Sequence, residues 1–281
     1  MAINDISLTS GMRSNLLSLQ QTQQLLDRTQ ERLSTGKKVN TPIDDPVNYF
    51  VAKAFMDRAG DITLSKDNMS NAIQTIKAAD AGIKAISALI DTAKSIATSA
   101  KTASGTTAIN SYEDQFETIM TQINNLASGS GADATFNGKN LLGGTGATYA
   151  LTVDLGDSST LTVSGFDGSA SGLGLSTTVD WNSGGSPNTT NIDSNLSQIT
   201  TAIDTLRTNT QKLSANLNIV TIRQDFANNT ISILTKGADN LTLADMNEEG
   251  ANMLMLQTRQ ALSTTALSIS SQASQSVLRL F

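Results

Sequence analysis

The feature that most constrains the fold is a seven-residue apolar repeat that runs without interruption through residues 192–234. Its steps alternate between four and three residues, which is the spacing of a helix that packs along a partner helix. The positions of the repeat are Ile192, Leu196, Ile199, Ile203, Leu206, Thr210, Leu213, Leu217, Val220, Gln224, Ala227, Ile231 and Leu234. At about 1.5 Å per residue, such a helix is roughly 65 Å long. Compact enzymes rarely need a helix of this length, so the repeat favours assembly with other helices over catalysis.

The same spacing predicts a helix near the N-terminus. This first helix spans about residues 6–33 and is followed by Gly36, a residue type that caps helix C-termini. It carries the repeat at Met12, Leu16, Leu19, Gln23, Leu26, Gln30 and Leu33. Polar residues thus occupy repeat positions here, as Thr210 and Gln224 do in the long helix. They either fix the register of the helices or face water where the helices separate, and the sequence leaves both readings open.

A second helix starts where an acidic pair meets a proline. Asp44 and Asp45 precede Pro46, a combination that provides an N-cap and a proline at the first helical position. This helix is predicted to continue to about residue 103, and a third spans residues 107–127. Their apolar positions in phase are Ile62, Met69, Ala72, Ile76, Ala79, Ile83, Ile86, Ile90, Ala93 and Ala97, then Phe116, Ile119, Ile123 and Leu126.

A last helix is predicted from about residue 243 to residue 280, after a break at Lys236 and Gly237. Its apolar stripe consists of Leu262, Ala266, Ile269, Ala273, Val277 and Leu280, whereas Arg259 and Arg279 are the only ionisable side chains in residues 251–281. Such a stripe exposes too much apolar surface for a solvated terminus, so it needs a permanent partner. The residues that we predict to form an assembly interface are Leu16, Leu19, Leu26, Leu33, Leu262, Ile269, Val277 and Leu280.

The middle of the chain has a different pattern. Apolar and polar residues alternate through residues 149–163 around a turn at residues 156–158, which predicts a β-hairpin. The Gly/Ser-rich residues 165–187 contain Leu173, Leu175 and Val179, which suggest a further strand. The predicted fold is therefore mainly α, with long antiparallel coiled-coil or bundle helices from both chain ends and a small β-hairpin insert. We expect three domains: residues 1–43 with 238–281, residues 44–143 with 188–237, and residues 144–187 as an outer segment.

The composition argues against several classes of function. The formal net charge of −6 argues against nucleic acid and anionic membranes as partners. The chain contains no Cys and no His, so it lacks thiolate nucleophiles, the usual general base and the commonest zinc ligand. Asp154, Asp157 and Asp167 lie near glycines without the spacing of a calcium loop, so we interpret them as turn residues. We therefore predict no enzyme activity, no cofactor and no metal site. No window has the apolar length of a membrane span, and residues 1–10 lack the features of a cleaved signal peptide.

Three segments of the sequence form recognisable motifs. Residues 32–40 (RLSTGKKVN), followed by Asp44-Asp45-Pro46, are similar to the N-terminal signature of the bacterial flagellin family. Residues 136–142 (FNGKNLL) resemble the motif before its variable region, and residues 260–278 resemble its C-terminal ending. The resemblance covers roughly the first 143 and the last 90 residues, and the short Gly/Ser-rich middle is most similar to flagellins of alphaproteobacteria.

The resemblance implies a structural subunit that polymerises into the extracellular flagellar filament. It also implies partners: other flagellin subunits, the flagellar export apparatus with its chaperone, and the filament cap and hook-junction proteins. Export would proceed without a cleaved signal peptide. The alternative within the same architecture is a hook–filament junction protein, which Asp44-Asp45-Pro46 favours slightly, whereas the ending at residues 260–280 strongly favours flagellin. A cytoplasmic signalling coiled coil is a third possibility, but the predicted hairpin at residues 149–163 counts against it.

One departure from the family concerns recognition by animal hosts. Flagellins that activate the innate receptor usually carry Arg and Glu in the segment that matches residues 89–97, which reads LIDTAKSIA here. The arginines are absent, and Lys94 stands where the acid would be. Because the charge partners are missing or reversed, we expect weak or no receptor activation.

Overall fold

The computed structural model describes residues 10–128, 134–156 and 159–278, with the backbone alone at Val277 and Leu278. These residues form five helices: α1 (Ser10–Thr35), α2 (Pro46–Ala100), α3 (Thr106–Ala127), α4 (Thr189–Thr242) and α5 (Met246–Leu278). Six short strands lie between α3 and α4: β1 (Thr135–Phe136), β2 (Lys139–Asn140), β3 (Leu151–Asp154), β4 (Thr160–Val163), β5 (Asn182–Ser183) and β6 (Ser186–Pro187). The predicted class, mainly helical with a small β insert, is confirmed.

The strands pair as three antiparallel hairpins, β1 with β2, β3 with β4 and β5 with β6. The hairpin predicted at residues 149–163 is β3–β4, whose register sets Leu151 opposite Val163. The stretch 165–187 does contain strands, β5 and β6, but none at Leu173 and Leu175. Gly174 has φ of 74° and turns the chain there, and the Leu175 N–H donates to the Ala170 carbonyl at 2.8 Å. The two leucines are buried by this compact turn rather than by a strand.

The chain divides into two compact units. The terminal unit consists of Met1–Ala59 with Ser232–Phe281, and the central unit is Gly60–Ile231. Helices α2 and α4 each contribute to both units. The threefold domain division inferred from the sequence stays a prediction.

The core of the central unit is the apolar repeat of α2 and α4 together with α3. Every predicted position of α2 from Met69 to Ala97 is at most 3% exposed. Along α4 the innermost repeat positions are buried, namely Ile192, Ile199, Leu206, Leu213, Val220 and Ala227. Lys101 and Asp193 form an ion pair of 2.7 Å between the end of α2 and the start of α4. The long repeat therefore marks an intramolecular seam for most of its length.

The insert belongs to this core. Trp181 is fully buried against Phe116, with ring centroids 5.0 Å apart. Its indole N–H donates to Asn195 Oδ1 of α4 at 2.8 Å, and its backbone N–H donates to Glu113 of α3. Glu117 of α3 likewise accepts the Val179 N–H at 3.1 Å. These bonds tie the segment before α4 to both neighbouring helices.

The predicted break at Lys236 and Gly237 is wrong, since α4 continues to Thr242. Gly237 serves packing rather than termination, because a Cβ at this position would lie 3.3 Å from the ring of Phe55. Ala238, the next residue, is buried. The chain instead turns at residues 243–245, where Asp245 Oδ1 accepts the N–H of Asn247 at 2.9 Å and caps α5.

Candidate assembly surface

Two short loops hold α1 and α5 side by side in the terminal unit. Gly36, with φ of 70°, ends α1 in the left-handed conformation, and its N–H donates to the Arg32 carbonyl at 2.8 Å. The Lys38 N–H then donates to the Thr242 carbonyl at 2.7 Å, and the Ala244 N–H donates to the Gly36 carbonyl at 3.0 Å. The end of α1 and the start of α5 are thus joined by backbone hydrogen bonds. Gly36 lies directly after the last residue of α1.

The two aspartates before α2 have different roles. Asp45 Oδ1 accepts the Asn48 N–H at 3.0 Å, and Pro46 is the first residue of α2. Asp44 braces the preceding loop instead, because its Oδ2 accepts the N–H groups of Asn40 and Thr41 and the Thr41 hydroxyl at 2.9–3.1 Å. These hydrogen bonds hold the pKa of Asp44 below its ordinary value. The bond from the Thr41 N–H has the largest effect, and the bond from the Asn40 N–H the next largest.

Helices α1 and α5 meet along a seam in which polar and apolar residues are mixed. The buried or half-buried positions of α5 that follow the four–three spacing are Glu249, Met253, Leu256, Gln260, Ser263, Leu267, Ser270 and Ser274; Gly250, Asn252 and Ser271 are half-buried as well. Those of α1 are Met12, Leu19, Thr22, Leu26, Thr29, Arg32 and Leu33. The small side chains let Cα atoms of the two helices approach within 8 Å at many positions.

Specific polar contacts cross this seam. Arg32 Nη1 and Glu249 Oε1 form an ion pair of 2.8 Å, in which the Glu249 side chain is only 9% exposed. Gln260 Nε2 donates to Gln23 Oε1 at 2.7 Å. Sequence reasoning missed the ion pair, although a signal existed. Arg32 lies in the last turn of α1 and Glu249 in the first turn of α5, where each charge suits its helix dipole.

The structure divides the predicted interface residues between two faces. Leu19, Leu26 and Leu33 are half-buried in the α1–α5 seam. Leu16, Leu262 and Ile269 face outward, with exposed fractions of 39%, 67% and 61%. The side chain of Val277 and all of Leu280 lie outside the described residues. Gln23 and Gln30 are exposed, since Thr22 and Thr29, one residue earlier, occupy the seam.

We call the outward face of α5 formed by Met255, Arg259, Leu262 and Ile269 the α5 stripe. Its members recur at steps of three, four and seven residues and all are exposed. Arg259 is the only ionisable side chain of α5 within residues 250–278. The stripe is therefore more apolar than the seam that α5 forms with α1. Sequence analysis found Leu262 and Ile269 from their spacing but missed Met255, which precedes the predicted stripe.

A second exposed apolar surface, which we call the corner patch, lies at the start of α2 and consists of Ile43, Val47 and Phe50. Their exposed fractions are 93%, 71% and 60%. Val47 and Phe50 lie three residues apart on one face of the first turns of α2, and Ile43 lies in the loop just before them. Because Asp44 braces the loop, Ile43 is presented in a fixed position. The sequence analysis named the neighbouring cap residues but not this patch.

Exposed apolar surface is concentrated in the terminal unit, although it is the smaller of the two. Of the twenty large apolar residues that are exposed within the described ranges, fifteen belong to this unit. They are Leu16, Leu17, Leu25, Ile43, Val47, Phe50, Val51, Met56, Ile233, Leu243, Met246, Leu254, Met255, Leu262 and Ile269. Extended apolar surface of this kind marks a site of interaction with other protein.

Other kinds of site have less support. Asp154 Oδ1 accepts the Gly156 N–H at 2.9 Å and Asp167 Oδ1 accepts the Ser169 N–H at 3.0 Å, which are turn contacts. Asp157 lies outside the described residues. Across the described part of the chain, no group of three or more Asp or Glu side chains is placed to hold a metal ion. None of the helices, as far as they are described, is long and apolar enough to cross a membrane.

Comparisons with known proteins agree with this architecture. The family model for the bacterial flagellin N-terminal helical region matches residues 3–147, and that for the C-terminal helical region matches residues 195–281. Flagellin FljM of Caulobacter vibrioides is 32% identical over 284 residues, which cover 100% of both chains. A flagellin of Brucella melitensis is 26% identical over 98% of both chains. A crystal structure of Bacillus cereus flagellin aligns with a TM-score of 0.46 at 20% identity, covering 57% of this chain and 88% of that one. On the strength of the family models and the full-length relatives, the chain belongs to the bacterial flagellin family.

Proposed function

We propose that this chain is a structural subunit of a bacterial flagellar filament and that it polymerises through the outward faces of α1 and α5. The observation that carries the proposal is that large apolar side chains of α5 face outward while serines occupy part of its intramolecular seam. Ser263, Ser270 and Ser274 face the intramolecular seam, whereas Leu262 and Ile269 face outward. A helix pair that folded only for itself would have the opposite arrangement.

A comparison of the free energy of apolar burial with the cost of association favours a polymer over a dimer. Burying one large apolar side chain contributes about 1.5–3 kcal/mol, so covering Met255, Leu262 and Ile269 gives on the order of 5–9 kcal/mol. Association costs an estimated 4–15 kcal/mol or more in lost freedom. A single contact at the α5 stripe is thus close to neutral. Several faces must be covered together, as when one subunit touches several neighbours in a helical array.

The remaining features of the proposal follow from the family. Flagellins are structural proteins, and we propose that this chain has no enzymatic activity. Its partners would be further copies of itself, the flagellar export apparatus with a chaperone, the filament cap and the hook-junction proteins. It would function outside the cell after export without a cleaved signal peptide. Residues 1–43 with 238–281 would form the innermost layer, residues 44–143 with 188–237 the next layer, and residues 144–187 the outer segment.

A hook–filament junction protein is the second candidate, because Asp45 caps α2 before Pro46 in the way that favoured it at the sequence level. The two candidate functions differ in how much of the protein the cell makes and in the assembly that the purified chain forms. A filament subunit is made in large excess, and the purified chain forms long polymers. A junction protein is made in few copies and stops after a short ring.

The test is polymerisation of the purified full-length chain, observed by electron microscopy. We expect long filaments above a critical concentration. Leu262→Asp should prevent them, because the burial of an apolar side chain is lost and a carboxylate must lose its water when a second copy covers the stripe. The matched control is Ser268→Asp, which adds the same charge to α5 on a different exposed side of the helix. A wild-type chain that stays monomeric, or equal filament growth by Leu262→Asp, would contradict the proposal.

A further inference from the structure

A charged residue interrupts the most apolar exposed face of the molecule. Arg259 lies on the α5 stripe, four residues after Met255 and three before Leu262, and it is exposed. It forms no ion pair with any of the described residues. If a neighbouring copy covers the stripe, Arg259 loses its water. An arginine buried against apolar surface alone is strongly unfavourable, so the covering surface must supply an acid.

The corner patch offers such an acid beside apolar side chains. Asp44 directly follows Ile43, and its Oδ2 takes all three of the hydrogen bonds that brace the loop. Its Oδ1 has no partner among the described residues. The low pKa keeps this carboxylate ionised, and Arg28 lowers that pKa further without forming an ion pair within 4.0 Å. Asp45 is less suited, because Asn48 engages both of its carboxylate oxygens.

The two surfaces cannot meet within one chain. Helix α5 starts at Met246, next to the loop that hydrogen-bonds to Gly36, and Arg259 lies thirteen residues further on. At 1.5 Å per residue this separation is about 20 Å along the helix. If a corner patch covers the α5 stripe, it must therefore come from a second copy. If the copies pack in parallel, they are displaced by about 20 Å along the helix axis.

We propose that the corner patch of one copy docks on the α5 stripe of a second copy, with Ile43 packing between Met255 and Leu262 and Asp44 Oδ1 pairing with Arg259. This inference rests on the proposed function, since both surfaces belong to the polymer. It assigns a partner to each surface. Charge complementarity sets the register, and the apolar side chains exclude water from the ion pair.

The absence of Cys from the chain allows a direct test by disulfide cross-linking. Full-length copies carrying Ile43→Cys are mixed with copies carrying Leu262→Cys, polymerised and oxidised, and the linked peptides are identified by mass spectrometry. A peptide that joins positions 43 and 262 can only arise between copies. We expect it in the polymer and not in the unpolymerised mixture. Copies with Ser268→Cys in place of Leu262→Cys are the control and should give at least ten-fold less of the mixed product.

A double-mutant cycle tests the ion pair itself. Asp44→Asn removes the charge but keeps an oxygen that can brace the loop, and Arg259→Gln removes the opposite charge. Each should raise the critical concentration about ten-fold, and the double variant should raise it no further than either. Glu248→Gln, which removes an exposed acid from α5, should change it less than two-fold. Fluorescence of Trp181, the only tryptophan, verifies that each variant keeps its central unit folded.

The outcomes separate the inference from the proposed function. Independent effects that multiply to about a hundred-fold in the double variant would overturn the pairing. So would wild-type-like polymerisation of Arg259→Gln, or a 43–262 product no more abundant than the control, while the polymer itself formed normally. No polymer from the wild-type chain would overturn the proposed function and the inference with it.

Discussion

Ile269→Asp tests whether the polymer depends on the outward face of α5. Ile269 is 61% exposed, so the change removes little from the folded subunit itself. In the polymer the substitution removes about 1–2 kcal/mol of stabilisation from apolar burial. It also places a carboxylate where no cation is nearby, which costs several kcal/mol more. The total is on the order of 4 kcal/mol for each subunit added, and this corresponds to a rise of roughly a thousand-fold in critical concentration.

The assay is sedimentation of polymer from purified chain over a range of concentrations. Ser268→Asp is the matched control, since it adds the same charge one residue away, about 100° around the helix. We expect Ile269→Asp to stay in the supernatant at concentrations at which wild type and the control sediment. Trp181 fluorescence should be unchanged in all three proteins. If Ile269→Asp sediments like wild type, or the control fails equally, the α5 stripe is not an assembly surface.

Four further predictions follow from named contacts. Glu249→Gln should loosen the α1–α5 pair by about 1–3 kcal/mol, because it breaks a nearly buried ion pair with Arg32, and faster hydrogen exchange in α5 would show it. Since the pKa of Asp44 is lowered by folding, its bracing of the loop is complete above the ordinary carboxyl pKa and is lost as the pH falls through the lowered value. NMR titration of the Asn40 and Thr41 amides should follow that loss, and Asp44→Asn should abolish it. Deleting residues 149–179 would be mild for an outer decoration, but Val153, Val163 and Leu173 are buried, so we expect a central unit with a lower melting temperature. The purified monomer should give little signal in a reporter-cell assay of the innate receptor, and full potency would refute the charge argument made for residues 89–97.

The sequence predicted the central unit better than the terminal unit, and the reason is physical. Between α2 and α4, Ile76, Ile86 and Ile199 lie inside the seam, so the residues of the apolar repeat are the ones that pack between the helices. In α5 the apolar repeat and the packed residues are different. Leu262 and Ile269 follow the helical period but face outward, whereas about half of the seam positions, Ser263, Ser270 and Ser274 among them, are polar residues that no hydrophobicity pattern reveals.

Single positions show the same limit. The caps at Gly36 and Asp45 depend on local backbone chemistry and were predictable. Gly237 was interpreted as a helix end because glycine usually weakens helices, yet here it makes room for Phe55 from another part of the chain. The pairing of Arg32 with Glu249 spans 217 residues, and only the fold brings the two side chains together. The corner patch could not be predicted from the sequence either, because the exposure of Ile43 depends on the conformation of the loop that Asp44 braces.

The outward apolar faces of the terminal unit have a consequence for how growth begins. Because a single contact at the α5 stripe is close to neutral in free energy, two free subunits in solution gain little from each other. The tip of an existing polymer presents several ready-made faces at once. Elongation is thereby favoured over spontaneous nucleation, which should appear as a long lag that short seeds abolish.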